Sequence, residues 1–166
     1  MTLKDDFLSA NSSADSELIA WNPKFNTGIP LIDEEHKKLV SLCNNFYKAL
    51  FRDQHEKDWR EVLVASVNEC IEYTDKHFQD EEKLMRSANF EGLPHHKAEH
   101  DAFRNKIIDM ALSYDKASIT EGIKFAKFLY EWILSHIAHE DKLYIPKLVQ
   151  YLKENSSENK KQLEQN

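Results

Sequence analysis

Apolar residues recur along most of this chain at alternating steps of three and four positions, the period of one face of an α-helix. Four such stripes predict four helices, from Pro30 to about Phe51, from Asp58 to about Arg86, from just after Pro94 to about Tyr114, and from Ser118 through His136. Because the connections between them are short, we expect an all-α fold, an antiparallel up-down-up-down four-helix bundle.

The two ends of the chain lack this pattern. Residues 1–20 are polar and rich in Ser, Asp and Asn, so we expect a flexible N-terminal arm. The bundle is expected to occupy residues 21–152, with a short amphipathic C-terminal helix over residues 143–152. Residues 153–166 form a polar C-terminal tail that we expect to fray.

Composition narrows the class of protein. The chain has 166 residues, enough for one domain, and only three glycines and four prolines, which favours long helices. Its formal net charge of −7 argues against nucleic acid or an anionic membrane surface as a partner. Since it has neither a membrane-length apolar run nor an apolar signal core, we expect a cytoplasmic monomer with no membrane insertion.

Seven side chains that can bind metal lie at helical spacing on these stripes: His36, His77, Glu81, His96, His100, His136 and Asp141. A step of four residues turns a helical side chain by only about 40°, so His77 and Glu81 share one helix face, as do His96 and His100. Four helices would each direct ligands to one interior point. Histidine-rich ligation with two carboxylates suits iron, zinc, copper or manganese.

Glu81 is the most informative of the seven. It lies on the same stripe as Val67 and Leu84, where an unpaired carboxylate would cost several kcal/mol, and metal coordination removes that penalty. We expect its neighbour Glu82 to face water. The three other histidines are expected to lie outside the centre: His55, His95 and His139, of which His139 alone could compete with His136.

Two spacings need separate interpretation. Asp141 follows His136 by five residues, a turn of about 140° on a straight helix, so we infer a bend or break near residues 138–140. Cys43 and Cys70 each lie seven residues from a helix ligand, about 10.5 Å along the axis, which makes them core residues rather than ligands. We expect buried, inert thiols; a redox disulfide between them is the alternative.

Four segments of this chain resemble the hemerythrin family, in particular its bacterial single-domain members. They are residues 28–39 (GIPLIDEEHKKL), 77–82 (HFQDEE), 96–103 (HKAEHDAF) and 132–141 (WILSHIAHED). The resemblance extends over about residues 21–150, and all seven ligand positions of the family are filled.

The resemblance implies a non-haem di-iron centre. His96, His100 and His136 would hold one iron, and His36 and His77 the other. Glu81 and Asp141 would bridge the pair, together with a solvent-derived oxo or hydroxo group. O₂ would bind end-on at the open position of the five-coordinate iron and be held as hydroperoxide.

The function implied is reversible O₂ binding for carriage, storage or delivery, and not catalysis. Such a protein could pass O₂ to an oxidase or act on a signalling partner. Reversible binding requires that water and acids stay out of the pocket. We expect Leu39, Phe78 and Leu134, which lie close to ligands along the chain, to line the O₂ pocket.

Other functions fit the residues less well. A ferritin-like di-iron oxidase uses two Glu-x-x-His motifs and more carboxylates, and no histidine here has Glu three residues before it. A zinc hydrolase fits poorly, because the motif His-Glu-x-x-His does not occur and a single zinc would leave the other ligands unexplained. Sensing of O₂, NO or redox state through a partner protein, or weak peroxidase activity at the same centre, remains the alternative.

Overall fold

The computed structural model describes residues 17–50, 59–112 and 119–163. Within these ranges it contains five α-helices and no strand: α1 (Pro30–Leu50), α2 (Trp59–Ser87), α3 (Leu93–Leu112), α4 (Ile119–Ser135) and α5 (Asp141–Leu163). A 3₁₀ turn, Pro23–Phe25, precedes α1, and a single π-helical turn, His136–Glu140, joins α4 to α5. The predicted all-α class and the four bundle helices are confirmed. His55 lies outside the described residues.

The start of α1 is determined by Asp33. Its carboxylate accepts hydrogen bonds from the backbone N–H groups of Thr27 and Gly28 and from the Thr27 hydroxyl. Gly28 has a φ of 82°, a left-handed conformation that glycine adopts without steric cost. Pro30 then begins the helix, where its missing N–H costs no helical hydrogen bond. Because these contacts fix where α1 begins, they help to position His36 inside the bundle.

A tight turn reverses the chain between α2 and α3. Asn89 adopts a φ of 51°, and the Phe90 N–H donates to the Met85 carbonyl, the pattern of a helix C-terminus closed by a left-handed residue. A Cβ atom at Gly92 would lie 2.6 Å from the Phe90 ring, so glycine leaves room for that ring. The turn places the start of α3 beside the end of α2.

The core consists of two clusters on either side of the histidines. The larger one is formed by α1, α2, α3 and α4 and includes edge-to-face packing of Phe46 against Phe125. The smaller one joins the end of α2 to α5 through Met85, Tyr144 and Leu148, all fully buried. No helix in the described ranges is long and apolar enough to cross a bilayer.

Two boundaries differ from those expected. Helix α5 continues to Leu163 instead of ending near Leu152, because lysine and glutamate residues are good helix formers even without an apolar stripe. At the other end, Leu18 and Ile19 belong to the core although they were assigned to the flexible arm. Their burial was hidden by the polar composition of the preceding residues. Residues 1–16 lie outside the described part of the chain.

Asn44 attaches this N-terminal segment to α1. Its side chain is buried, accepts a hydrogen bond from the Ile19 N–H at 2.8 Å and donates to the Ile19 carbonyl at 2.9 Å. The pair of bonds satisfies both backbone groups of Ile19, which would otherwise be buried without partners.

We expect Asn44→Ala to lower the free energy of unfolding by about 1–3 kcal/mol, because a buried donor and acceptor lose their partner. The measurement is urea denaturation followed by circular dichroism. Asn45→Ala is the matched control, since Asn45 is the exposed neighbour on the same helix. Equal stability of the two variants would contradict this role for Asn44.

Candidate metal centre

The structure brings all seven predicted metal-binding side chains together in the bundle interior. They come from α1, α2, α3, the π turn and the first residue of α5, and each is at most 2% exposed. Their donor atoms form two groups, each with all donor atoms within 4.8 Å of one another: His36, His77, Glu81 and Asp141 in the first, and Glu81, His96, His100 and His136 in the second. The spacing argument therefore placed these residues correctly, and their role as ligands stays a prediction.

The two carboxylates lie between the two groups of histidines. Asp141 directs Oδ2 to His36 Nε2 and Oδ1 to His136 Nε2, each at 3.0 Å. Glu81 has Oε2 3.5 Å from His77 Nε2 and 3.4 Å from His100 Nε2. Because each carboxylate faces histidines of both groups, each is placed to bridge two cations.

Asp141 reaches this position through the π turn. Its backbone N–H donates to the carbonyl of His136, five residues earlier, whereas an α-helix would pair residues four apart. The wider turn accommodates one additional residue, so a step of five returns nearly to the same helix face. The irregularity inferred near residues 138–140 is present as this widened turn, and no sharp break is needed.

Several buried polar atoms at this point have no hydrogen-bond partner among the described residues. They are both ring nitrogens of His36, Nε2 of His77 and His96, Oε2 of Glu81, and both carboxylate oxygens of Asp141. Burying so many unsatisfied groups is costly, and native interiors avoid it. All of them except Nδ1 of His36 face the point where the seven side chains converge. This donor set therefore fits a bound pair of cations.

The electrostatics favour cation binding as well. Burial alone would raise the pKa of Glu81, but the surrounding imidazoles outweigh it and hold that pKa well below its usual range. The pKa of Asp141 is lowered too, because His136 and His36 outweigh burial and the charge of Glu81. Both carboxylates are therefore ionised at neutral pH. Burial disfavours charge on His36, yet Asp141 and Glu81 raise its pKa to about 9, so it must release a proton before binding a metal.

A second layer of carboxylates orients the histidines. Glu35 lies 3.1 Å from His77 Nδ1 and pairs with Lys76 at 2.6 Å. Glu82 lies 3.1 Å from His100 Nδ1, and Arg104 contacts Glu82 at 3.4 Å. A carboxylate on Nδ1 directs the lone pair of Nε2 at the metal and increases its basicity.

Sequence reasoning missed this layer. Glu82 was expected to face water, but it is only 8% exposed. Glu35 was not singled out, although it too is buried. The fully buried Tyr144 was missed as well, and it donates a hydrogen bond to Glu81 Oε1 at 2.6 Å. A signal for Tyr144 existed, because it follows Asp141 by three residues and so shares its helix face.

Residues 27–148 match the family described as the hemerythrin HHE cation binding domain. The chain belongs to the hemerythrin family. It is 30% identical to a bacteriohemerythrin of Clostridium acetobutylicum over 77% of this chain and 99% of that one. It is 28% identical to a bacteriohemerythrin of Pseudomonas aeruginosa, over 76% of this chain and 79% of the relative. A myohemerythrin of Sipunculus nudus is also 28% identical, over 77% and 92%.

The fold agrees with this family. A wild-type hemerythrin crystal structure superposes with a TM-score of 0.70 at 25% identity, covering 79% of this chain and 98% of that chain. Hemerythrins are non-haem iron proteins that bind O₂, and they are carriers rather than enzymes. The buried histidines and carboxylates of this hemerythrin are the residues through which it could hold iron.

The second layer can be tested through metal affinity. We expect Glu82→Ala to weaken iron binding by about 10- to 100-fold, the usual effect of removing a group that orients a metal-binding histidine. Competition against a chromogenic iron chelator measures the affinity. Glu72→Ala, an exposed position on the same helix, should bind iron as the unchanged protein does. Indistinguishable affinities of the two variants would show that Glu82 does not support His100.

Proposed function

We propose that this hemerythrin binds O₂ reversibly at a di-iron centre held by the seven residues named above. The observation that carries the proposal is the unequal division of histidines around two shared carboxylates. Three histidines, His96, His100 and His136, surround one position, and only His36 and His77 surround the other. A pair of ferrous ions bound there would supply two electrons and one open coordination position for O₂.

A small apolar cavity lies about one helical turn from His36 and His77. Leu39 lies three residues after His36, Thr74 three before His77, and both line the cavity. Ile133, three residues before His136, also lines the cavity. These side chains shield this side of the centre from water and protons, which favours reversible binding over loss of the ligand as a reduced product.

Of the three residues expected in the O₂ pocket, Leu39 lines this cavity. Phe78 is buried too, but its ring stacks on His100 of the three-histidine group, with centroids 3.7 Å apart, and it is not among the residues that line the cavity. Leu134 is only partly buried and packs against the core, whereas Ile133 lines the cavity. The reason is helical geometry, because a residue two positions before His136 lies about 200° away around the helix, on nearly the opposite face. We therefore replace Leu134 by Ile133 in the proposed pocket.

None of the described residues that line the cavity is a ready proton donor. The Thr74 hydroxyl donates a hydrogen bond to the Cys70 carbonyl at 2.6 Å, so the hydroxyl proton is already engaged. Cys43 and Cys70 also line the cavity as free thiols. Burial raises the pKa of Cys70 to about 12 and that of Cys43 well above its usual range, so both stay protonated and unreactive.

Tyr144 holds the bridging carboxylate on the other side. Burial and the charge of Glu81 raise the pKa of its hydroxyl well above the usual range, so it remains a hydrogen-bond donor. Its bond to Glu81 Oε1 fixes the carboxylate plane and leaves Oε2 directed at the histidines. This arrangement favours a bridge of constant geometry over a carboxylate that shifts during a reaction.

Reversible O₂ binding is tested by optical spectroscopy of the anaerobically reduced, iron-loaded chain. We expect a visible ligand-to-iron charge-transfer band to appear in air and to disappear on degassing, over repeated cycles. His77→Ala, which removes a ligand beside the open position, should lose the band. Immediate and irreversible oxidation to the ferric form would contradict the proposal and favour a redox sensor or peroxidase.

The apolar cavity yields a separate prediction. Ile133→Thr places a hydroxyl where the cavity has a methyl group, so we expect oxidation of the O₂-bound form to the ferric form to be about tenfold faster, a barrier lower by about 1.4 kcal/mol. Decay of the O₂-dependent band in air measures the rate. Ile108→Thr is the control, because Ile108 is 48% exposed. An unchanged decay rate for Ile133→Thr would place the protecting side chains elsewhere.

A further inference from the structure

A third group of metal-binding side chains lies at the protein surface, outside the buried centre. His95 and Glu99 are one turn apart on α3, with His95 Nε2 3.8 Å from Glu99 Oε1. Glu140, the last residue of the π turn, contributes a carboxylate oxygen, and the three donor atoms lie within 4.8 Å of one another. Ligand atoms about 2.1 Å from a common ion are about 3–4 Å apart, so a small rotation of the exposed His95 side chain brings them into range.

Glu99 connects this surface group to the buried centre. While Oε1 faces His95, Oε2 lies 3.7 Å from Nδ1 of His136, beyond ordinary hydrogen-bond distance. The His136 side chain is only 2% exposed and presents Nε2 to Asp141 on its other side. One imidazole ring therefore separates the surface carboxylate from the bridging carboxylate.

An open pocket runs along the same path. Glu99, Glu140, Ser135 and His136 all line it, so it leads from solvent to the edge of the buried histidine. In contrast, His36, His100, Glu81 and Asp141 have no exposed surface. A metal ion that enters the centre has to lose most of its water first, and ligands at the mouth of the pocket reduce that cost.

The charges at the mouth are left uncompensated. Several carboxylates on these helices pair with a lysine, as Glu34 does with Lys37 and Asp101 with Lys97. In the part of the chain that the structure describes, no lysine or arginine lies within 4.0 Å of Glu99 or Glu140; Glu99 has only His95 and His136 as partners at that distance. Two carboxylates beside an imidazole attract a divalent cation.

We infer that His95, Glu99 and Glu140 form a surface site for a divalent first-row metal ion, which then passes along the pocket to His136. One nitrogen and two carboxylate oxygens, with water in the other positions, suit ferrous iron and its analogues Co²⁺ and Zn²⁺. The ion keeps its oxidation state and exchanges ligands only. The inference requires that the buried centre holds metal, but not that it binds O₂.

Binding at the site is tested by titrating the full, iron-loaded chain with Co²⁺ in a calorimeter. We expect one equivalent of Co²⁺ to bind in addition to the two irons. His95→Gln and Glu140→Gln should each weaken it by about tenfold or more, in the range found when a metal site loses a supporting interaction. His139→Gln, an exposed histidine on the same π turn, is the matched control. Absence of the additional equivalent in the unchanged chain would overturn the inference.

Passage of the ion is tested by measuring the rate at which ferrous iron is released to a chromogenic chelator. The chelator is used at concentrations high enough that the release rate no longer depends on chelator concentration. Entry and release share one path, so His95→Gln should slow release while the chain still holds two irons. His139→Gln should release iron at the rate of the unchanged protein. Co²⁺ binding that depends on His95 together with an unaltered release rate would refute transfer to His136. Because neither readout involves O₂, failure here is distinguishable from failure of the proposed function.

Discussion

The structure depends on the convergence of two ionised carboxylates and five imidazoles inside a bundle of apolar helices. Seven nitrogen and oxygen atoms of this group have no hydrogen-bond partner in the described part of the chain. Cations at the two positions they surround would satisfy them, and the helices would then act as the support that keeps these side chains in place. The apolar clusters above and below the centre exclude water and strengthen the electrostatic attraction between ligands and metal.

The ligands are oriented by contacts that extend outward to the surface. Arg104 pairs with Asp75 and Asp101 on the surface and also reaches Glu82, which faces His100. The same guanidinium lies 4.9 Å from the centre of the Phe78 ring, which stacks on His100. Arg104 thus restrains the His100 imidazole in two ways, through Glu82, which faces Nδ1 of the ring, and through Phe78, which stacks on its face. Such support limits the rotamers that His100 can adopt before metal arrives.

Much of this could be predicted from the sequence, because helical spacing is a property of the chain itself. The pairs His77/Glu81 and His96/His100 share a face in any helix, so their convergence followed from periodicity alone. The orientation of Glu82 did not, because it depends on an arginine that lies far along the chain and approaches only in the folded bundle. The burial of Leu18 and Ile19 likewise depends on Asn44, a contact across 25 residues for Ile19. Leu134 is a different case, since helical spacing already favours Ile133 for the proposed pocket.

The π turn has a consequence for how this chain can vary. It amounts to one residue inserted into an otherwise continuous helix formed by α4 and α5. Deleting a residue there would restore an α-helix but rotate everything that follows by about 100°. Tyr144 and Leu148 would leave the core at the same moment as Asp141 left the centre. The ligand set and the packing of the last helix therefore share one register, and neither can drift by a residue during evolution without the other.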